Sequence, residues 1–203
     1  MSFLKINNLS VDYKMRRETV YAAKNVNIEV GKGEILGLVG ESGSGKSTVA
    51  NAIINLIDEP GKVSNGSIFL GDINIHKDPK NIVKYRGKKV GLIFQDPQTS
   101  LNPIFTIGEQ LIETIQTHLN LNTEEAKNKA ITLLKEVGIK DAEKRFDNYP
   151  HQFSGGMRQR VVISLALCCE PELLIADEPT TALDVSIQSQ ILDLIKRLTK
   201  ERN

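Results

Sequence analysis

Apolar positions in the first third of the chain fall into short runs broken by glycine-containing turns. Phe3 to Val11, Val26 to Val30, Ile35 to Val39 and Ser67 to Leu70 read as strands, punctuated by Gly31-Lys-Gly33 and Gly71-Asp72. They predict an antiparallel sheet. From Ile107 the spacing lengthens: Ile107, Leu111, Ile115 and Leu119 recur every four residues and make one helical stripe. Asn122-Thr-Glu-Glu125 has the pattern of a capping box, and Ala126, Ala130, Leu133, Leu134 and Val137 continue a second helix that Gly138 ends. Residues 101 to about 155 are therefore expected to form an all-helical insert. Beyond it, Leu173 to Ala176 reads as a buried parallel strand, and Val185 to Asn203 as a helix with Ile187, Ile191, Leu194, Ile195 and Leu198 on one face.

Composition agrees with a compact globular domain, since 203 residues with 40% hydrophobic side chains suffice for one sizeable core. A net charge of +1 offers no field for nucleic acid or anionic lipid, and the basic clusters Lys14-Met-Arg-Arg17 and Arg86-Gly-Lys-Lys89 read as solvated faces. Met-Ser-Phe-Leu-Lys lacks a secretory apolar core. Val161 to Cys169 is interrupted by Ser164 and too short to span a bilayer. The expectation is a cytoplasmic chain, with any membrane passage supplied by others. Cys168 and Cys169 are adjacent, unlike zinc or thioredoxin spacings, and read as structural; His76, His118 and His151 are scattered without a ligand pattern.

The chemistry is concentrated in three places. Gly40-Glu41-Ser42-Gly43-Ser44-Gly45-Lys46-Ser47-Thr48 fits the GxxxxGK[ST] phosphate loop, between the apolar run at 35–39 and a helix-competent run from Val49 to Leu56. Glycines there let backbone N–H groups turn around phosphate oxygens, the helix N-terminus adds partial positive charge, Lys46 reaches the outer phosphates and Ser47 can ligate Mg²⁺. Asp177 and Glu178 follow the Leu173 strand, at the strand end where ligands of parallel sheets gather. The first carboxylate suits hydrated Mg²⁺, the second the orientation or deprotonation of an attacking water. The third place is Ser154-Gly-Gly-Met-Arg-Gln159, whose Gly155 stands 18 positions before Leu173.

With these motifs the chain resembles the ATP-binding-cassette ATPases, from Leu4 to its last residue. The resemblance implies an α/β phosphate-loop ATPase core with an antiparallel β subdomain and a helical subdomain. Ser154, Gly155 and Gly156 match the family signature, which opens a helix capping the γ-phosphate of ATP held by the opposite subunit. By the same resemblance Tyr13 stacks on adenine, Gln95 is the Q-loop residue contacting Mg²⁺ and the membrane partner, and Asp184 is the D-loop carboxylate; a packed strand tyrosine would look no different at position 13. The runs Ile93 to Pro103, Gly155 to Val161 and Ala176 to Val185 are similar to the dipeptide, oligopeptide and nickel importer branch, and Met157 agrees with that branch where most cassettes carry glutamine.

The resemblance implies an ATPase subunit that energises import of peptides, or nickel, using ATP and Mg²⁺. Its partners would be a second cassette, identical or homologous, two transmembrane permease subunits at the cytoplasmic face of the membrane and, indirectly, an extracytoplasmic solute-binding protein; no nucleic acid is implied. A soluble cassette of DNA repair or translation would ordinarily show a coiled-coil insertion or second cassette, and neither is here; a GTPase or small-molecule kinase would not need Ser154-Gly-Gly, and no Asn-Lys-x-Asp guanine motif follows the loop. In the family a further strand ending in a switch histidine follows the helix at 185–203, and some peptide importers add a cysteine-bearing tail for an iron–sulfur cluster. The expectation is therefore that these 203 residues are a fragment, or a truncated gene product, of a longer ATPase, and weakly active or inactive by themselves.

Overall fold

The computed structural model describes residues 2–77, 79–181 and 183–201. The chain divides into two compact units, one ending at Arg86 and the other starting at Gly87.

The first unit is built on a four-stranded antiparallel sheet of order β2-β1-β3-β4, with β1 Ser2–Lys14, β2 Thr19–Gly31, β3 Gly61–Leu70 and β4 Ile73–Asn74. Inward positions of β1 change parity: Leu4 and Ile6 are buried, then Leu9 and Val11. A strict period of two cannot bury both pairs on one face. The ladder absorbs the change in an irregularity between Ile6 and Leu9, where Asn8 takes a left-handed conformation at φ 47. Helix α1, Lys46–Ile53, buries Val49, Ala52 and Ile53, and α2 spans Pro79–Tyr85.

One strand expected from the sequence does not form. Residues 35–39 carry no regular structure, and Ile35, Leu36, Leu38 and Val39 are all exposed, Val39 to 91%. An apolar run becomes a strand only where neighbouring backbones complete its ladder, and among the described residues none pairs with it.

The second unit contains a parallel pair, β5 Val90–Ile93 and β6 Leu173–Ala176, in register from Val90 with Leu173 to Ile93 with Ala176. Leu173, Leu174 and Ile175 are half-buried rather than fully buried, because among the described residues β6 has one strand neighbour instead of two. Between the strands lie α3 Pro97–Ser100, α4 Ile107–His118, α5 Thr123–Glu136, α6 Ala142–Arg145, a 3-10 turn at Pro150–Gln152 and α7 Gly155–Leu167; α8, Val185–Glu201, follows β6. Their apolar stripes meet in one core that includes Ile107, Leu111 and Ile115 of α4, Ala126, Ala130, Leu133 and Leu134 of α5, and Ile191, Leu194 and Leu198 of α8. Both α4 and α5 start in full capping boxes, Thr106 with Glu109 and Asn122 with Glu125. In the first, the Thr106 backbone N–H and hydroxyl donate to Glu109 and hold its carboxyl below the usual range. Leu111 is fully buried at the centre of this core. Leu111→Ala is expected to destabilise the second unit by about 2–5 kcal/mol, through lost transfer energy and a residual cavity; chemical denaturation followed by circular dichroism measures it.

Candidate functional site

In the first unit the phosphate loop runs from Gly40 into α1. Gly45, the N-cap of that helix, sits at φ 93, and a Cβ on it would lie 2.2 Å from the Ala22 carbonyl oxygen of β2, so both backbone conformation and space demand glycine. No side chain caps α1 and no acidic residue occupies its first turn, which keeps the positive end of the helix available to an anion. Ser44 N–H donates to Glu41 O at 3.1 Å, tightening the loop. The Lys46 ammonium donates to the carbonyls of Gly40 and Glu41, both at 3.0 Å. The cation is thus folded back over its own loop. Ser42, Gly43 and Ser47 are exposed, Thr48 half-buried.

Tyr13 belongs to the same unit. It is half-buried near the end of β1, paired with Val20 and Gly61, and its ring lies over the Gly61 backbone. A packed strand residue and an aromatic platform both fit that placement.

In the second unit the end of β6 brings Gln95 and Glu178 together. Asp177 N–H continues the ladder by donating to Ile93 O at 2.9 Å, which places the carboxylates directly beyond the strand. Gln95, in the loop between β5 and α3, donates through Nε2 to Glu178 Oε2 at 2.8 Å, and Thr181 Oγ1 donates to the same oxygen at 3.1 Å. Glu178 is held at φ 46, a left-handed conformation uncommon for a glutamate and the kind of strain concentrated at functional sites. Thr181 was not singled out by the sequence; only its position three residues after Glu178, in a Glu-Pro-Thr-Thr turn, could have flagged it.

Ser154 is the N-cap of α7 and its hydroxyl accepts from Met157 N–H at 3.4 Å, so the signature residues form an exposed helix N-terminus. Arg158 supports this start: its Nε donates to the carbonyls of Pro150 and Phe153, both at 3.0 Å, tying down the turn before Ser154. Gly156 faces α8, where a Cβ would come within 2.9 Å of Ile187 Cγ2. The Asp184 carbonyl accepts from Ile187 N–H at 2.8 Å and Gln188 N–H at 3.0 Å, while Asp184 itself is exposed. Signature and D-loop segments are therefore neighbours on this unit. The Q-loop and carboxylate contact forms a second local cluster, and the phosphate loop belongs to the first unit.

A family model described as ABC transporter matches residues 23–181. Oligopeptide transport ATP-binding protein AppD of Bacillus subtilis is 48% identical over 204 residues, covering 100% of this chain and 62% of that protein. Dipeptide transport ATP-binding protein DppD of Escherichia coli is 45% identical over 207 residues, again covering 100% of this chain and 62% of the relative. The chain thus spans less than two thirds of the length of these relatives. Among solved structures, a dimeric ATP-binding cassette in a post-hydrolysis state, bound to ADP and Pi, superposes with a TM-score of 0.84 at 34% identity, over 98% of this chain and 83% of that one.

Proposed function

This chain belongs to the ABC transporter family, and we propose that it is the ATP-binding and ATP-hydrolysing part of a peptide importer, working as one of two cassettes beneath a pair of transmembrane subunits at the cytoplasmic face of a membrane. The observation that carries the chemistry is the Gln95 amide bonded to Glu178 at the end of a parallel strand, 2.8 Å apart. A carboxylate so placed suits the orientation or deprotonation of water for phosphoryl transfer. Gly40 to Thr48 would receive the triphosphate, with Lys46 exchanging its loop carbonyls for phosphate oxygens, and Tyr13 would stack on adenine. Ser154, Gly155, Gly156 and Met157 would meet the ATP of the opposite subunit, with Asp184 alongside. The peptide class rests on the relatives, whose names specify oligopeptide and dipeptide transport.

The residues suit magnesium. On the first unit Ser47, and on the second Gln95 and Asp177, each carry a hard oxygen donor, the kind that Mg²⁺ takes together with substrate phosphates and water. Among the described residues no group of three His, Cys, Asp or Glu side chains is arranged as a protein-only cage. When bound, the ion would neutralise phosphate charge.

Partner choice is supported by the loop from Leu101 to Thr106. The buried Gln110 amide locks it, accepting from Asn102 N–H at 2.9 Å and donating to the carbonyls of Asn102 at 3.0 Å and Phe105 at 3.1 Å. The loop is rigid at its base yet displays Ile104, 73% exposed, and Phe105, 43% exposed. A fixed scaffold presenting apolar side chains is suited to docking. No described helix is long and apolar enough to cross a membrane. Cysteines introduced between Ser100 and Phe105 are expected to crosslink to a cytoplasmic loop of a transmembrane subunit. Crosslinking only to soluble proteins, ribosomes or DNA would overturn the transport assignment.

A further inference from the structure

The chain leaves α7 through two adjacent thiols that the ATPase chemistry does not use. Cys168 and Cys169 are 1% and 6% exposed, and their Sγ atoms are 3.6 Å apart. Cys168 is the C-cap of α7 and keeps right-handed helical dihedrals (φ −64, ψ −22), so the two thiols leave adjacent positions of the helix's last turn. The pair is anchored on two sides: Cys168 Sγ donates to Leu165 O at 3.1 Å, and Cys169 Sγ lies 3.9 Å from Thr114 O of α4. Beside it Lys129 forms an ion pair with Glu170.

The spacing is compatible with a bent two-sulfur chelate. A direct disulfide needs sulfurs about 2.0 Å apart. A soft centre with metal–sulfur bonds of about 2.3 Å spans roughly 4.6 Å if linear and roughly 3.3–3.8 Å if bent between right-angled and tetrahedral. At 3.6 Å the pair has the bent bite. Zinc requires three or four protein ligands, and no third His, Cys, Asp or Glu completes such a set among the described residues. A centre satisfied by two sulfurs and one retained oxygen is what remains. We propose that Cys168 and Cys169 form a chelating dithiol site for a trivalent thiophilic metalloid, of which arsenite is the simplest.

The chemistry balances without an oxidant: As(OH)₃ and the two thiols give one bridging arsenic bearing a single hydroxyl, with two S–As bonds formed, two As–OH bonds broken and two waters released. The Cys169 thiol is held below the usual range by its hydrogen bond with Cys168 and by the nearby Lys129 ammonium, against the opposing effect of burial. Cys168, the deeper of the two, is pushed up by its hydrogen bond with Cys169 and by burial.

The reduced full chain is titrated with sodium arsenite, with native mass spectrometry and a free-thiol assay as readouts. One arsenic per folded chain is expected, with loss of both reactive thiols and their recovery on adding a small dithiol. The adduct mass separates two sulfur bonds from one, because a one-bond adduct is heavier by a water. Cys168→Ser and Cys169→Ser are each expected to weaken binding by at least about 100-fold, as loss of a linked second contact does. A one-bond adduct, a serine variant binding as tightly as the parent, or uptake seen only after unfolding in urea would overturn the proposal. The mass test on the unsubstituted chain decides even where a serine variant fails to fold.

Discussion

Lys46→Ala is expected to abolish useful nucleotide binding. The ammonium makes two hydrogen bonds of 3.0 Å to the Gly40 and Glu41 carbonyls, and on our reading it trades them for oxygens of the outer phosphates. Charge-assisted hydrogen bonds contribute about 1.5–3 kcal/mol each. Losing two corresponds to roughly two to four orders of magnitude in affinity. The uncapped N-terminus of α1 remains in the variant, so a weak residual attraction for phosphate persists. Tyr13→Ala supplies the contrast: one stacking contact is worth about 1–3 kcal/mol, so the loss should be roughly 5- to 150-fold. Calorimetric titration with ATP and Mg²⁺ checks both, with a thermal melt alongside. Unchanged affinity in the lysine variant would refute the role of the loop. Unchanged affinity with lowered stability in the tyrosine variant would make Tyr13 a packing residue of β1 against Gly61.

What could be read from the chain depended on how local its cause was. Helices α4, α5 and α8 were legible because their stripes and caps lie within a few residues; the Asn122 and Glu125 box forms as its spacing implies. Thr106 and Glu109 carry the same spacing and form the same box at the start of α4. Strands were less legible, since a strand is completed by neighbours distant in the chain. Ile35 to Val39 has the composition of one and stays unpaired, whereas β2 begins seven residues before the run at Val26, held by β1. The site divided along the same line. Phosphate loop, signature and acidic pair are contiguous motifs visible by spacing, but the Gln95 to Glu178 bond joins residues 83 apart and Thr181 enters only through the turn that follows. The adjacency of Cys168 and Cys169 is visible in the sequence, but the 3.6 Å approach of their sulfurs is a matter of side-chain rotamers that no sequence pattern specifies.

Glu178→Gln is expected to keep ATP bound while turnover falls by roughly two to four orders of magnitude, the usual contribution of a positioned base. Glu178 sits at the end of β6 in a left-handed conformation, and its Oε2 collects hydrogen bonds from Gln95 and Thr181. A glutamine has the same shape and retains a carbonyl oxygen that can accept from both donors, so the local structure should survive. What it lacks is the negative charge that can orient and deprotonate water, and charge at this point should not be needed to hold the nucleotide. Binding and turnover are therefore expected to separate, and, on the proposed two-cassette reading, an ATP-bound pair is expected to accumulate. Gln95→Ala offers a check on the arrangement: without its amide donor Glu178 loses one restraint, and turnover should fall by a smaller factor than in Glu178→Gln. ATPase rates in the assembled transporter, with nucleotide content measured after rapid filtration, test both. Parental turnover in Glu178→Gln would show that the water is activated elsewhere, and loss of ATP binding in that variant would mean that the carboxylate holds the nucleotide instead of acting on it.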